Sequence, residues 1–325
     1  MVAFKKVLTV GLLALPMALG ASAAAADYPD KPIRWLVPYP AGGGSDFLAR
    51  TIGSALQEGV GQTIIIENKP GGNTSIAAND VARSAPDGYT VMSADNGTMV
   101  FNPALYKKLS YDPAKELAPV TLLGSFPMIL VTAPDSGLNS VQDVIDRARS
   151  QQQGLNFASA GAGSPHHLAM ELFKAELKLN MVHVPYRGAA PSLTDVAGGQ
   201  VPVMMVDLAA GAGFIKGGKV KPLAVANPER LAQLPDVPTF AELGYPSVVA
   251  AAQVGMVTAA KTPKATIDAL NKQVVAALNQ PAIHKKLVDF GIQPVGNTPE
   301  EYAALLQSET ARWHKLIGDL GITLD

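Results

Sequence analysis

Short apolar runs alternate along this chain with stretches of helical, amphipathic periodicity. Ile33–Val37 reads as a strand, Phe47–Gln57 as a helix, Thr63–Glu67 as a strand, Ser75–Ser84 as a helix and Thr90–Ser93 as a strand, with a short helix near Pro103. A second series runs through the strand Met128–Thr132, a helix at Val141–Ser150, the strand Asn156–Ser159, a helix from Pro165 to Leu177 and the strand Met181–Val184. It continues with a helix at Pro191–Ala197 and the strands Val201–Val206 and Pro222–Val225. Strand, helix and strand in repeated order predict two doubly wound α/β units around mostly parallel sheets. The remaining strand Ala251–Thr258, with helices at Pro263–Leu278, Pro281–Phe290 and Pro299–Leu320, is too small for a third unit and returns to complete the first.

The crossings between units fall near Leu123–Met128 and Tyr245–Ala251. The expected division is therefore 27–125 with 249–325 for lobe one and 126–248 for lobe two. Two lobes joined by two strands leave a cleft, and such a cleft is where small ligands bind.

The first residues change the picture of where the protein works. Lys5 and Lys6, an apolar stretch from Val7 to Leu19 and the small residues Ala21 to Ala26 form an export-signal pattern, with 1–26 removed and Asp27 left first. The apolar stretch contains Pro16 and is short for a membrane span. Without Lys5 and Lys6 the balance moves from 26 basic against 27 acidic residues to 24 against 27, a net charge of −3. Nothing in that balance attracts nucleic acid. The chain has no cysteine, which excludes a disulfide framework, a thiolate nucleophile, a cysteine zinc site and a lipid anchor on cysteine.

Candidate chemistry gathers in loops. Pro38-Tyr39-Pro40-Ala41-Gly42-Gly43-Gly44-Ser45-Asp46 joins the first strand to the first helix. Glycines bring backbone N–H groups close to a ligand, and a helix start adds unpaired donors and partial positive charge, so the pattern suits an anion. Its spacing matches neither G-x-G-x-x-G nor G-x-x-x-x-G-K-[ST]. An ordinary glycine-rich turn is the alternative. Asn156 to His167, with Ser159, Ala160, Gly161 and Gly163, repeats the chemistry in the second series, and Ser164 and Pro165 take the N-cap and N1 positions. Two such loops on two lobes could grip one anion.

A third loop, Val184 to Ser192, carries Arg187, the favoured cation for a ligand carboxylate. Asp207, at the end of Val201–Val206, either meets a ligand amine or water or caps the next turn, with the cap favoured. Asn96 in Ser93-Ala94-Asp95-Asn96-Gly97 could donate to a ligand, although Asn-Gly is also a common turn pair. His167 and Glu171 share a helical face, but a pair with no third ligand is a weak metal signal and reads as a partly buried histidine. There is no G-x-S-x-G elbow and no obvious carboxylate pair, so catalysis finds no footing.

Pro38 to Asp46, Glu67-Asn68-Lys69-Pro70-Gly71-Gly72, Ala85-Pro86-Asp87-Gly88-Tyr89-Thr90, His183-Val184-Pro185-Tyr186-Arg187-Gly188 and Leu231 to Tyr245 occur together and in order. In these the chain closely resembles the Bug family, the extracytoplasmic solute receptors of tripartite tricarboxylate transporters. The resemblance covers essentially the whole mature chain. It implies a two-lobe periplasmic binding protein of the type II kind that closes on a small organic carboxylate and delivers it to membrane permease subunits, as a monomer and without a cofactor. The family's two ligand loops correspond to Tyr39 through Asp46 and to Ser159 through His167, which adds His166 to the candidates. Many relatives carry an aromatic residue near the return crossing where this chain has Gln253, which would replace an apolar wall with a hydrogen-bonding one.

Two alternatives stand beside that reading. The same architecture could present the loaded carboxylate to a membrane sensor kinase. A secreted α/β hydrolase is the rival from another class, disfavoured by the missing nucleophile and base.

Overall fold

The computed structural model describes residues 28–324; the expected export signal lies outside them. Strand β1 (Ile33–Val37) pairs in parallel with β2 (Ile64–Asn68) and β3 (Thr90–Asp95). Helix α1 (Gly44–Val60) makes the first crossover, and a 3₁₀ turn at Gly72–Thr74 with α2 (Ser75–Ala82) makes the second. After β3 come a π-turn at Gly97–Phe101 and the short helices α3 (Asn102–Leu105) and α4 (Pro113–Glu116). Ile33, Trp35 and Val37 enter one core and Leu36 another, because a strand covered by helices on both faces must be apolar on both.

The strand expected at Met128–Thr132 is the far end of a much longer one, β4 (Leu117–Thr132). Its first part, to Pro127, pairs with β9 (Ala251–Ala259). From Met128 onward it pairs with β7 (Val203–Asp207) and β8 (Lys221–Val225). The crossing near Leu123–Met128 is thus part of this one continuous strand. At the junction three backbones are stitched together: Met128 N–H donates to Ala250 at 3.1 Å, Ala226 to Met128 at 2.8 Å and Ala250 to Ala226 at 2.9 Å.

Lobe two adds α5 (Val141–Ser150), β5 (Leu155–Ser159), α6 (Pro165–Leu177), β6 (Met181–Pro185), α7 (Ala189–Ala197) and α8 (Leu208–Lys216), with β5 parallel to β6 and β7. The return strand β9 then pairs antiparallel with β3 and β4. Helices α9 (Lys264–Leu278) and α10 (Pro281–Asp289), the two-residue strand β10 (Gln293–Pro294) and α11 (Pro299–Leu320) complete lobe one.

The strand order is β2-β1-β3-β9-β4-β7-β5-β6, with β8 and β10 also on β4. The expectation of mostly parallel sheets is corrected: every pairing made by β4 or β9 is antiparallel. One strand leaves a lobe and the other comes back beside it, so the pair must run in opposite senses.

Candidate functional site

The loop after β1 is built around Asp46. This buried carboxylate accepts from the Gly42 N–H at 2.9 Å, from Asn68 Nδ2 at 2.9 Å and from Arg50 Nε at 2.9 and 3.0 Å. Burial alone would raise its pKa, but the Arg50, Gly42 and Asn68 hydrogen bonds hold it below the ordinary range. Asp46 therefore spends its oxygens on loop shape. Gly42, at φ +88°, supplies the left-handed turn that points its N–H back to Asp46. Gly43 is the N-cap of α1, with no side chain to fill the role, so the first amides of α1 have no capping group. Ala41, Gly42 and Gly43 are exposed.

Tyr39 donates its hydroxyl to Asp95, which also accepts from the Thr98 N–H and hydroxyl at 2.8 Å each. Next to Asp95, Asn96 donates Nδ2 to the Ala251 carbonyl at 3.0 Å and leaves Oδ1 buried without a partner among the described residues. The donor that the sequence offered to a ligand is thus used on the return crossing. Ser45 Oγ is likewise buried and unpartnered among the described residues.

The loop after β5 has its own internal frame. Ser159 Oγ lies 3.1 Å from the Gly161 N–H and 2.6 Å from His183 Nε2. Ser164 caps α6 by accepting the His167 N–H at 3.3 Å, and gives its own proton to the Gly161 carbonyl at 2.7 Å. Pro165 takes N1, as its missing N–H allows. The loop holding Arg187 runs alongside, with Tyr186 N–H donating to Ser159 at 3.1 Å and Gly188 N–H to Ala160 at 3.1 Å. Arg187 is exposed and forms no hydrogen bond or ion pair among the described residues.

Asp207 does cap: its Oδ1 accepts from the Ala210 N–H at 2.9 Å at the head of α8. Its Oδ2 lies 2.9 Å from His166 Nε2, and His166 Nδ1 is buried without a partner among the described residues. Burial works to raise the Asp207 pKa, and the imidazole with the Ala210 amide more than offsets it, so the carboxyl stays below its ordinary value. Gln253 is half-buried on β9, opposite Ser125.

Lobe one and lobe two meet around these loops. A Cβ on Gly44 would sit 2.9 Å from Phe126 and 3.5 Å from Ala209, two residues past Asp207. A Cβ on Gly163 would sit 2.8 Å from Leu324 and 3.0 Å from Leu105. Each of the two loops thus lies close to the opposite lobe. Two surface hollows elsewhere, of about 310 Å³ beside Arg147 and about 330 Å³ beside Lys115, are lined by none of the loop residues.

Comparison with known proteins accounts for this arrangement. The model of the tripartite tricarboxylate transporter family receptor matches residues 48–322. The chain belongs to that family. The receptor is 30% identical over 316 residues to protein BugT of Bordetella pertussis, covering 97% of each chain. Among solved structures it is similar to an R. palustris protein with adipate, at 34% identity, TM-score 0.84 and coverage of 92% of this chain and 100% of that one. MatC from Rhodopseudomonas palustris with bound malate gives 33% identity, TM-score 0.80 and coverage of 89% and 100%. The receptor is accordingly a two-lobe solute-binding protein and not an enzyme, and the resemblance read from its loop motifs holds.

One partner of the site was not apparent from sequence. His183 lies 24 residues from Ser159, and only the parallel pairing of β5 with β6 brings the two together. The histidine of the His183–Gly188 motif was visible; its hydroxyl partner was not.

Proposed function

We propose that this receptor works in the periplasm as a monomer, after export, and captures a small organic carboxylate for the membrane permease of a tripartite tricarboxylate transporter. The observation that carries the reading is the pair of loops, 39–46 and 159–167, each set close to the opposite lobe, with exposed backbone at one and a capped helix start behind the other. Helix starts and glycine-flanked amides favour an anion without a matching formal charge. Two related receptors named above, solved with adipate and malate, support a carboxylate.

In this reading the amides of Ala41, Gly43 and Ala160, which the loops leave free of the Gly42–Asp46 and Gly161–Ser159 hydrogen bonds, hold one carboxylate, with Ser45 Oγ, Asn96 Oδ1, His166 Nδ1, Arg187 and Gln253 around the rest of the ligand. Tyr39, Asp46, Ser159, Ser164 and Asp207 hold the loops. Lobe one comprises 27–125 and 249–325, lobe two 126–248, and they turn about the backbone knot at Met128, Ala226 and Ala250.

A thermal-shift screen of organic acids that includes adipate and malate tests the reading. A ligand at 100 times its dissociation constant adds about 2.7 kcal/mol of stability, a shift easily read. A screen in which dicarboxylates, tricarboxylates, aromatic acids and acidic amino acids all leave the melting curve unmoved would sink it.

A further inference from the structure

Two imidazoles lie beneath the loop after β5, and carboxylate capture as described does not use them. His167, in the first turn of α6, accepts the Gly163 N–H at Nδ1, at 3.1 Å. An accepting Nδ1 carries no proton, so this ring is the neutral Nε2–H tautomer, with Nε2 3.7 Å from the Glu171 carboxylate. His183, on β6, sets Nε2 2.6 Å from the hydroxyl of Ser159 at the other end of the same loop. The two rings stack with centroids 3.8 Å apart and planes 16° from parallel, and Phe157, the cross-strand partner of His183, lies 5.1 Å from that ring.

The residue that His167 holds is also one that touches the opposite lobe. Gly163 has φ +76° and lies so close to Leu324 and Leu105 that a Cβ there would sit 2.8 and 3.0 Å from their side-chain ends. The direction of its N–H and its place against the opposite lobe are therefore set together.

We propose that His167 and His183 form an uncharged stacked cradle that fixes residues 159–163 in their ligand-accepting shape, making both histidines positioning residues for capture. The inference rests on the carboxylate-receptor reading for its consequence, though not for its geometry. Charge is what the cradle excludes. A proton on His167 Nδ1 would set two N–H donors head to head at Gly163, and a second proton on His183 would face it across the stack. The charged groups that face the pair are Glu171 and Lys174 of α6, themselves joined at 3.2 Å. Burial pushes the His183 pKa down to about 4, and a proton on His167 would add to that push, so that ring too is neutral near neutral pH.

The test uses the mature chain and two variants of each histidine. His167→Phe keeps a flat ring in the stack but removes the acceptor, whereas His167→Asn places Oδ1 where Nδ1 stood; His183→Phe and His183→Gln do the same for Ser159. Nitrogen NMR of the wild-type ring should show His167 as the Nε2–H tautomer. Amide exchange at Gly163 should quicken roughly tenfold in His167→Phe and return toward wild type in His167→Asn, as loss and recovery of one hydrogen bond requires. Titration with adipate and with malate should weaken about tenfold in the Phe variants, with the Asn and Gln variants restored. Equal Gly163 exchange in wild type and His167→Phe, or no rescue by His167→Asn, overturns the cradle. If wild type binds neither acid, the receptor reading fails for those acids while the exchange arm still decides the cradle.

Discussion

Tyr39 gives its hydroxyl proton to Asp95, tying the loop after β1 to the end of β3. Burial, and then the Asp95 charge, hold the phenol well above its ordinary pKa, so it stays a donor throughout the working range. Tyr39→Phe leaves Asp95 with Thr98 alone. The expected cost is about 1.5–3 kcal/mol, typical of a hydrogen bond to a charged group, read as a lower urea midpoint with an unchanged slope. An unchanged midpoint would mean that solvent replaces the hydroxyl.

Gly43 offers a cleaner probe of the anion site. Its φ of −84° suits any residue, and the nearest atom to a Cβ added there is the Pro40 carbonyl oxygen at 3.8 Å. Gly43→Val should therefore fold normally while placing a branched side chain over the loop amides, and calorimetric binding should fail. Retained affinity would move the ligand away from this loop.

Arg187 has no protein partner to lose among the described residues, so its replacement reports on ligand alone. A charged hydrogen bond is worth about 1.5–3 kcal/mol, and Arg187→Ala should weaken carboxylate binding roughly 10- to 150-fold. A loss below about twofold, far short of one charged hydrogen bond, assigns Arg187 to the solvated surface.

The half-buried His183 makes stability depend on acid. The unfolded chain takes up this proton near the ordinary value of 6.5, while the folded chain refuses it down to about 4. The folded pKa is depressed, and for a base this means that stability is whole above about 6.5 and drains as pH falls toward about 4. The ceiling is roughly 3 kcal/mol, reduced by partial exposure of the ring to about 1–2 kcal/mol. Urea midpoints should fall between pH of about 7 and about 4.5, and His183→Gln should flatten that part of the profile. A parallel decline in both proteins would place the acid sensitivity elsewhere.

Ligand should also change the particle's shape. Gly44 against Ala209 and Gly163 against Leu105 and Leu324 are contacts that only approach of the lobes can make, and a ligand held by both loops favours that state. Small-angle scattering with saturating adipate or malate should give a smaller radius of gyration than without. Superimposable profiles, with binding shown independently, would indicate a rigid cleft.

Much of this was legible locally. Helix α6 runs from Pro165 to Leu177 as its Ser-Pro start suggests, and the Asp207 cap follows from a short acceptor at a strand end. The first part of β4 was hidden because Pro119, Gly124 and Pro127 interrupt its apolar pattern. Register shifts between Pro119 and Thr121 and between Leu122 and Gly124 let the ladder continue past the first two. Helix α8 was hidden for a different reason: Ala-Ala-Gly-Ala-Gly at 209–213 shows no strong periodicity, and Asp207 caps it from outside. The cradle was illegible since His167, His183 and Ser159 converge only through strand pairing.

The unbroken course of β4 from one lobe into the other constrains how this chain can vary. Side chains alternate along a strand, so one residue inserted before Met128 would turn Ile129 and Val131 from one core to the other and send Met128 and Leu130 the opposite way. Substitutions in β4 can be absorbed one lobe at a time. A change of length near Met128 reaches both lobes unless a bulge like those at Pro119–Thr121 and Leu122–Gly124 takes it up, so lengthening or shortening is borne by such bulges or by the loops that end on solvent.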